Sequence, residues 1–189
     1  ERAVVKAILA QVARFYGVPS GAGGGLTDAK EPSAQAGMQK AMISVAALLS
    51  SGSVVLDVGL LSLDEVCSPE QMIYDVELAS AIRRMVRPVE ISPETCAVED
   101  IKEVGPGGNF LGSELTAERF RQELWEPQVW DRQSLQGWRA SGARAERERV
   151  KERIRALLSA PFEDPRMTPE CEQDLRAIIG RAVAAGAAV

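Results

Sequence analysis

Residues 21–30, Gly21-Ala22-Gly23-Gly24-Gly25-Leu26-Thr27-Asp28-Ala29-Lys30, crowd glycine into one short stretch between two apolar segments. Glycine at this density lets a backbone adopt positive φ or approach another group closely. Thr27, Asp28 and Lys30 follow at once, where a strand end would open into a loop. In α/β folds ligand chemistry sits at that position. A plain Gly-rich connector would have the same composition, and both readings stay open.

Around this stretch the chain alternates. Residues 1–16 predict a helix with Val4, Val5, Ile8, Leu9, Val12 and Phe15 on one face. Residues 17–20 predict a short buried strand leading into the glycines. Ser33 then caps a helix to about Leu49, with Met38, Met42, Val45, Ala46 and Leu49 as its core side. Residues 53–61 read as one buried parallel strand interrupted by Asp57. A carboxylate there must be paired, hydrogen-bonded or at the strand's end. Asp57 either accepts hydrogen bonds at a rim or faces a cationic ligand.

Ser68-Pro69-Glu70-Gln71 starts a helix with Ser at the N-cap, Pro at the first turn and Gln placed for a capping box. Met72, Val76, Ala79, Ile82 and Val86 form its expected buried stripe, which leaves Asp75 and Glu77 solvated. Pro88 stops it. Ser92-Pro93 opens a further helix towards Val104, and residues 105–112 are a second Gly-rich turn whose glycines suit positive φ. Trp130 and Trp138 would pin a peripheral helix. Residues 139–158 predict one charged helix, residues 161–165 a linker, and Thr168-Pro169-Glu170 a last helix that frays from Ala182. Helix, strand and helix in turn over residues 1–87 point to a parallel sheet, with too few strands to close a barrel.

Bulk properties exclude several classes. With 189 residues the chain is shorter than a complete (β/α)8 barrel of about 250. Net charge is −5, with 11 basic and 19 acidic residues in 1–131 and 11 basic and 8 acidic in 132–189. The acidic body disfavours nucleic acid and suits a cationic substrate or basic partner. The basic tail is either a solvated face or a docking surface for an acidic partner. There is no histidine, and Cys67, Cys96 and Cys171 are widely spaced. A Cys/His zinc site, a disulfide framework and a histidine-based triad are therefore not expected. No apolar run reaches the roughly 18 residues of a membrane span, so no membrane association and a cytoplasmic location are expected.

Four blocks occur in order: Gly24-Gly25-Leu26-Thr27-Asp28-Ala29-Lys30 with Pro32 and Gln35-Ala36-Gly37; Asp57-Val58-Gly59-Leu60-Leu61; Glu70-Gln71-Met72-Ile73-Tyr74-Asp75; and Gly105-Pro106-Gly107-Gly108-Asn109-Phe110-Leu111. Together, from the first residue to about Trp138, they resemble the C-terminal portion of the trimethylamine methyltransferase family. That family's corrinoid-dependent enzymes act on trimethylamine or on quaternary amines such as glycine betaine.

The resemblance implies an α/β fold: the C-terminal part of a (β/α)8 TIM-type barrel over residues 1–138, with a helical extension over 139–189. It implies methyl transfer from a methylated amine to Co(I) of a corrinoid (cobalamin) held by a partner protein, as in methylamine metabolism and methanogenesis. Trimethylamine-using members carry pyrrolysine near the barrel centre, and its absence here favours a quaternary amine, with residues 23–26 as the expected place of its replacement. Asp28, Asp57, Asn109, Gly24, Gly25, Gly107 and Gly108 are the implied substrate-binding positions, near one barrel mouth; no catalytic residue and no bound metal is assigned. Asn109 stands where members often have histidine, which puts in doubt any role there for a titrating imidazole. The alternative is an inactive module that is structural or docks the corrinoid protein, completed by self-association over a sheet edge. On the first reading the full-length protein is the enzyme and this piece alone is inactive.

Overall fold

The computed structural model describes residues 1–161 and 167–186. The chain divides into two compact units, Glu1–Ile154 and Arg155–Val189. The expected linker at 161–165 falls largely outside the described residues, as does the end of the expected fraying.

The first unit opens with α1 (Arg2–Phe15), β1 (Ala22–Gly24), α2 (Ala34–Ser51) and β2 (Val54–Leu56). β1 and β2 pair in parallel, with Gly23 opposite Val55, so β1–α2–β2 is a crossover unit. Residues 17–20 form no strand, and pairing starts at Ala22. The apolar run 53–61 is also not one strand. It bends at 57–59, where Gly59 has φ +83°, and continues as β3 (Leu60–Leu61), antiparallel to β4 (Val66–Cys67). Ala29, Ala36 and Leu61 make a small buried cluster beneath this bend.

α3 (Pro69–Met85) starts as expected, with Ser68 Oγ accepting the Gln71 N–H, but the Gln71 side chain reaches forward to Asp75 rather than back to the cap. The helix expected from Ser92 is two, α4 (Pro93–Cys96) and α5 (Val98–Val104), because Ala97 turns left-handed at φ 49°. A 3-10 turn (Phe110–Gly112) leads to α6 (Glu114–Glu123). The charged helix expected over 139–158 is likewise split into α7 (Leu135–Ala140) and α8 (Glu146–Ser159), with Gly142 at φ +96° between them. α8 runs from the first unit into the second, which also carries α9 (Pro169–Ala184), capped by Thr168. The fold is helix-rich with few strands, consistent with part of an α/β architecture. No helix among the described residues is long and apolar enough to cross a membrane.

The buried faces are not those that hydropathy selects. α1 meets α2 with Ala10 buried and Ala3, Ala7 and Ala13 half-buried, and turns Val4, Ile8 and Phe15 outward. Small side chains let the helices approach closely, and the bulky stripe stays exposed. α2 buries Ala36, Lys40, Ile43, Ser44 and Ala47, whereas Met38 and Met42 are exposed, which corrects their expected core role. In α3 the buried residues are Gln71, Asp75, Glu77 and Ile82, while Met72 and Val76 lie open. The physical reason is a set of buried polar groups that satisfy one another, as a buried polar group must.

Candidate functional site

Lys40 Nζ donates to Asp75 Oδ2 at 2.7 Å and to the Asp57 carbonyl at 3.3 Å, with Lys40 fully buried and Asp75 nearly so. Asp75 Oδ2 also accepts the Gly59 N–H at 2.7 Å, and its Oδ1 accepts the Gln71 side-chain amide at 2.7 Å. One ion pair therefore ties α2, α3 and the bend at 57–59 together. Asp75 and Glu77, expected to be solvated, are both buried. Glu77 Oε1 accepts the backbone N–H groups of Val129 (2.8 Å) and Trp130 (3.1 Å), which fixes an irregular segment against α3.

The end of β2 adjoins the ion pair, where Lys40 reaches the Asp57 carbonyl. Side chains alternate across a sheet, and here Gly24, with Val54, faces Ser44 of α2 while Gly23 and Asp57 face away from it. A Cβ on Gly24 would sit 2.7 Å from Val54 Cγ2 and 2.8 Å from Ser44 Oγ. Gly25, at φ +77°, packs against the Asp57 backbone and donates to Ser44 Oγ at 3.1 Å. These two glycines serve close packing of helix on sheet. On the opposite face a Cβ on Gly23 would lie 3.1 Å from Lys6 Nζ and 3.8 Å from Asp57 Oδ2, and Val55 is 62% exposed there. The Asp57 carboxylate thus stands at the end of a parallel strand, on the face that α2 leaves uncovered.

The other expected positions are distributed. Asp28 pairs with Arg2 at 2.9 Å and accepts from Gln39 at 3.3 Å, beside a hollow of about 360 Å³ lined by Arg2, Leu26, Gln39 and Met42. Asn109 uses its Oδ1 to cap the 3-10 turn through the Leu111 N–H and lines a different hollow, with Asp100, Glu103 and Glu118. Gly107 has open space and φ +77°, whereas a Cβ on Gly108 would run into the Val104 carbonyl, closing the turn onto α5. Asp57 lines neither hollow.

A third cavity, of about 460 Å³, lies between α2 and α3 and was not expected from the sequence. Gln71, Tyr74, Asp75, Leu78, Trp130 and Glu146 line it. Burial raises the Tyr74 phenol above its ordinary range, and the Glu146 and Glu70 carboxylates push it the same way. A sequence signal for the buried ion pair beside this cavity is Lys40 within the stripe Ala36, Lys40, Ile43, Ala47, with Gln71 one turn before Asp75. Among the described residues no group of three or more Cys, Asp or Glu is arranged to hold a metal ion, and the three cysteines are exposed free thiols.

The family model described as trimethylamine methyltransferase matches residues 1–187, so the likeness extends past Trp138 to the C-terminal helices. The chain is 31% identical over 182 residues to a trimethylamine methyltransferase of Methanosarcina mazei, covering 96% of this chain and 36% of that protein. It is 35% identical over 173 residues to the glycine betaine methyltransferase of Desulfitobacterium hafniense, covering 91% of this chain and 36% of that protein. The chain spans about 36% of the length of these curated relatives.

Proposed function

The chain belongs to the trimethylamine methyltransferase family, and from that membership we propose that it forms part of an enzyme moving a methyl group from a methylated amine to a corrinoid carried by a partner protein. A quaternary amine such as glycine betaine is the favoured donor, with trimethylamine next. The observation that carries this reading is the Asp57 carboxylate at a parallel strand's end, on the face of the sheet that α2 does not cover and that Lys6 of α1 also reaches. Strand ends of this kind bear the chemistry in α/β barrels, and a (β/α)8 barrel is the architecture proposed for the full-length protein.

Asp57 supplies negative charge to a nitrogen that has no N–H to donate. As the carbon–nitrogen bond breaks, both electrons stay on nitrogen and its positive charge disappears. A carboxylate therefore holds the substrate more tightly than the product. It contributes to binding and release more than to the barrier itself, where only interactions stronger in the transition state count. The Lys40–Asp75 pair fixes the bend that presents Asp57, and Gly24 and Gly25 keep the strand close to α2. The corrinoid, when bound, supplies the nucleophilic metal centre; what remains for the chain is to align the methyl group, and alignment alone can supply much of a rate. Asp28, Asn109, Gly107 and Gly108 are proposed as further binding positions.

The test is single-turnover methylation of a Co(I) corrinoid by the full-length protein, followed by its visible spectrum, with glycine betaine and trimethylamine offered separately. Conversion with glycine betaine is expected. Asp57→Asn should raise KM about tenfold with kcat little changed, the pattern of a binding interaction. No conversion with either amine overturns the reading.

A further inference from the structure

The glycine stretch ends in a loop with little freedom. From the Thr27 carbonyl to the Ala29 carbonyl every backbone polar atom is hydrogen-bonded. Two of these bonds come from the turn between β3 and β4. There the Ser62 N–H donates to the Ala29 carbonyl at 2.7 Å and the Leu63 N–H to the Thr27 carbonyl at 2.8 Å. The turn holds Ser62 and Leu63 at φ 48° and 68°, a left-handed backbone that a Cβ disfavours. Lys30 Nζ donates to the Asp28 carbonyl at 2.7 Å, and the Ala29 N–H to Thr27 Oγ1 at 3.1 Å. Thr27 and Ala29 are buried, and Asp28 between them is exposed.

Gln39 of α2 completes the set. Its Oε1 accepts from Thr27 Oγ1 at 2.7 Å and from the Asp28 N–H at 3.0 Å. Its Nε2 donates to Asp28 Oδ2 at 3.3 Å. A backbone N–H only donates and a carboxylate only accepts, so a single orientation of the amide serves both. Arg2 holds the other carboxylate oxygen at 2.9 Å, and Gln39 and Asp28 border the same hollow of about 360 Å³. One side chain thus sets both the backbone and the carboxylate of Asp28.

We propose that Gln39 is a positioning residue, holding the Asp28 carboxylate at this hollow in the orientation in which it meets substrate. This role rests on the methyl-transfer reading, in which Asp28 is a binding position, and adds the residue through which Asp28 acts. A carboxylate already fixed by an amide and a guanidinium need not be ordered when substrate arrives, which lowers the cost of binding.

Gln39→Glu separates the two halves of the role. It keeps an acceptor for Thr27 and for the Asp28 N–H, but sets a like charge against the Asp28 carboxylate where a donor stood. In the full-length protein, hydrogen exchange of the Asp28 amide should stay near wild type in Gln39→Glu and quicken about tenfold in Gln39→Met. In steady-state methylation of a Co(I) corrinoid, both variants should raise KM for the amine about two- to tenfold, the range of one hydrogen bond, with kcat little changed. Added to Asp28→Asn, Gln39→Glu should raise KM no further, because the charge it displaces is already gone. A purely structural role for Gln39 gives other results: Gln39→Glu behaves as wild type, and Gln39→Met loses active protein at unchanged KM. Either result overturns the proposal. So does unchanged exchange in Gln39→Met, or a KM effect of Gln39→Glu that persists in full on Asp28→Asn. A wild type that converts no methylated amine overturns the methyl-transfer reading and this role with it, whereas turnover with an insensitive KM overturns the role alone.

Discussion

Lys40 on α2 and Asp75 on α3 form a buried ion pair at 2.7 Å, and each also holds the backbone of the bend between β2 and β3. A buried pair of this kind is weak evidence of net stability, since two desolvated charges cost much of what they gain. Breaking it from one side is another matter. Lys40→Met leaves Asp75 buried without its counter-charge and should cost about 3–5 kcal/mol in denaturant unfolding. The double variant Lys40→Met with Asp75→Leu should lose clearly less than the two singles added together. Strict additivity would mean that the two groups are not coupled.

Glu77 is a carboxylate with a structural task at its far end. Glu77→Ala removes the acceptor of two N–H groups, at about 1.5–3 kcal/mol for hydrogen bonds to a charged group. Tryptophan emission should shift to the red as Trp130 loosens. Unchanged emission and stability would show that the segment is held by its other contacts.

Two glycines in one neighbourhood should respond with opposite signs. Gly24→Ala drives a methyl group into Val54 and Ser44 and should destabilise by about 1–3 kcal/mol. Gly37, inside α2 with nothing near its missing side chain, should gain about 0.5–1 kcal/mol as Ala. Thermal unfolding of both variants checks the pair.

Tyr74 gives a pH signature. Its phenol is raised chiefly by burial, then by Glu146 and Glu70. The unfolded chain therefore ionises this tyrosine first, and folding stability should decline as pH rises past the ordinary tyrosine value of about 10 until the folded phenol ionises too. Glu146→Gln should move the Tyr74 titration, read by ultraviolet absorbance, downward. An upward movement would contradict the assigned cause.

Local structure is legible in the sequence where a single residue decides it. Ser33, Ser68, Ser92 and Thr168 all cap helices, and Pro69, Pro93 and Pro169 stand in the first turns. The glycine stretch does precede a parallel crossover, and Asp57 does end a strand. Faces were harder. Hydropathy assigns Met38, Met42, Met72 and Val76 to the interior, yet the residues described here bury Lys40, Asp75 and Glu77. A polar group is read as surface unless its partner is known, and these partners lie 35 to 53 positions away along the chain. The helix breaks at Ala97 and Gly142 depend on left-handed backbone that composition does not announce. The α2–α3 cavity is hidden from the sequence because it is assembled from four separate segments, around residues 32–41, 71–78, 130 and 146.

The Glu77 contact also sets a timescale. Val129 and Trp130 belong to no helix or strand, so their amide protons would ordinarily exchange with solvent as fast as a loop opens. Donating instead to a buried side chain rooted in α3, they are released when Glu77 swings away from them, a movement that its burial ties to opening of the helix's packing. Residues without regular secondary structure should then exchange in step with a helix some fifty positions earlier, as one cooperative unit.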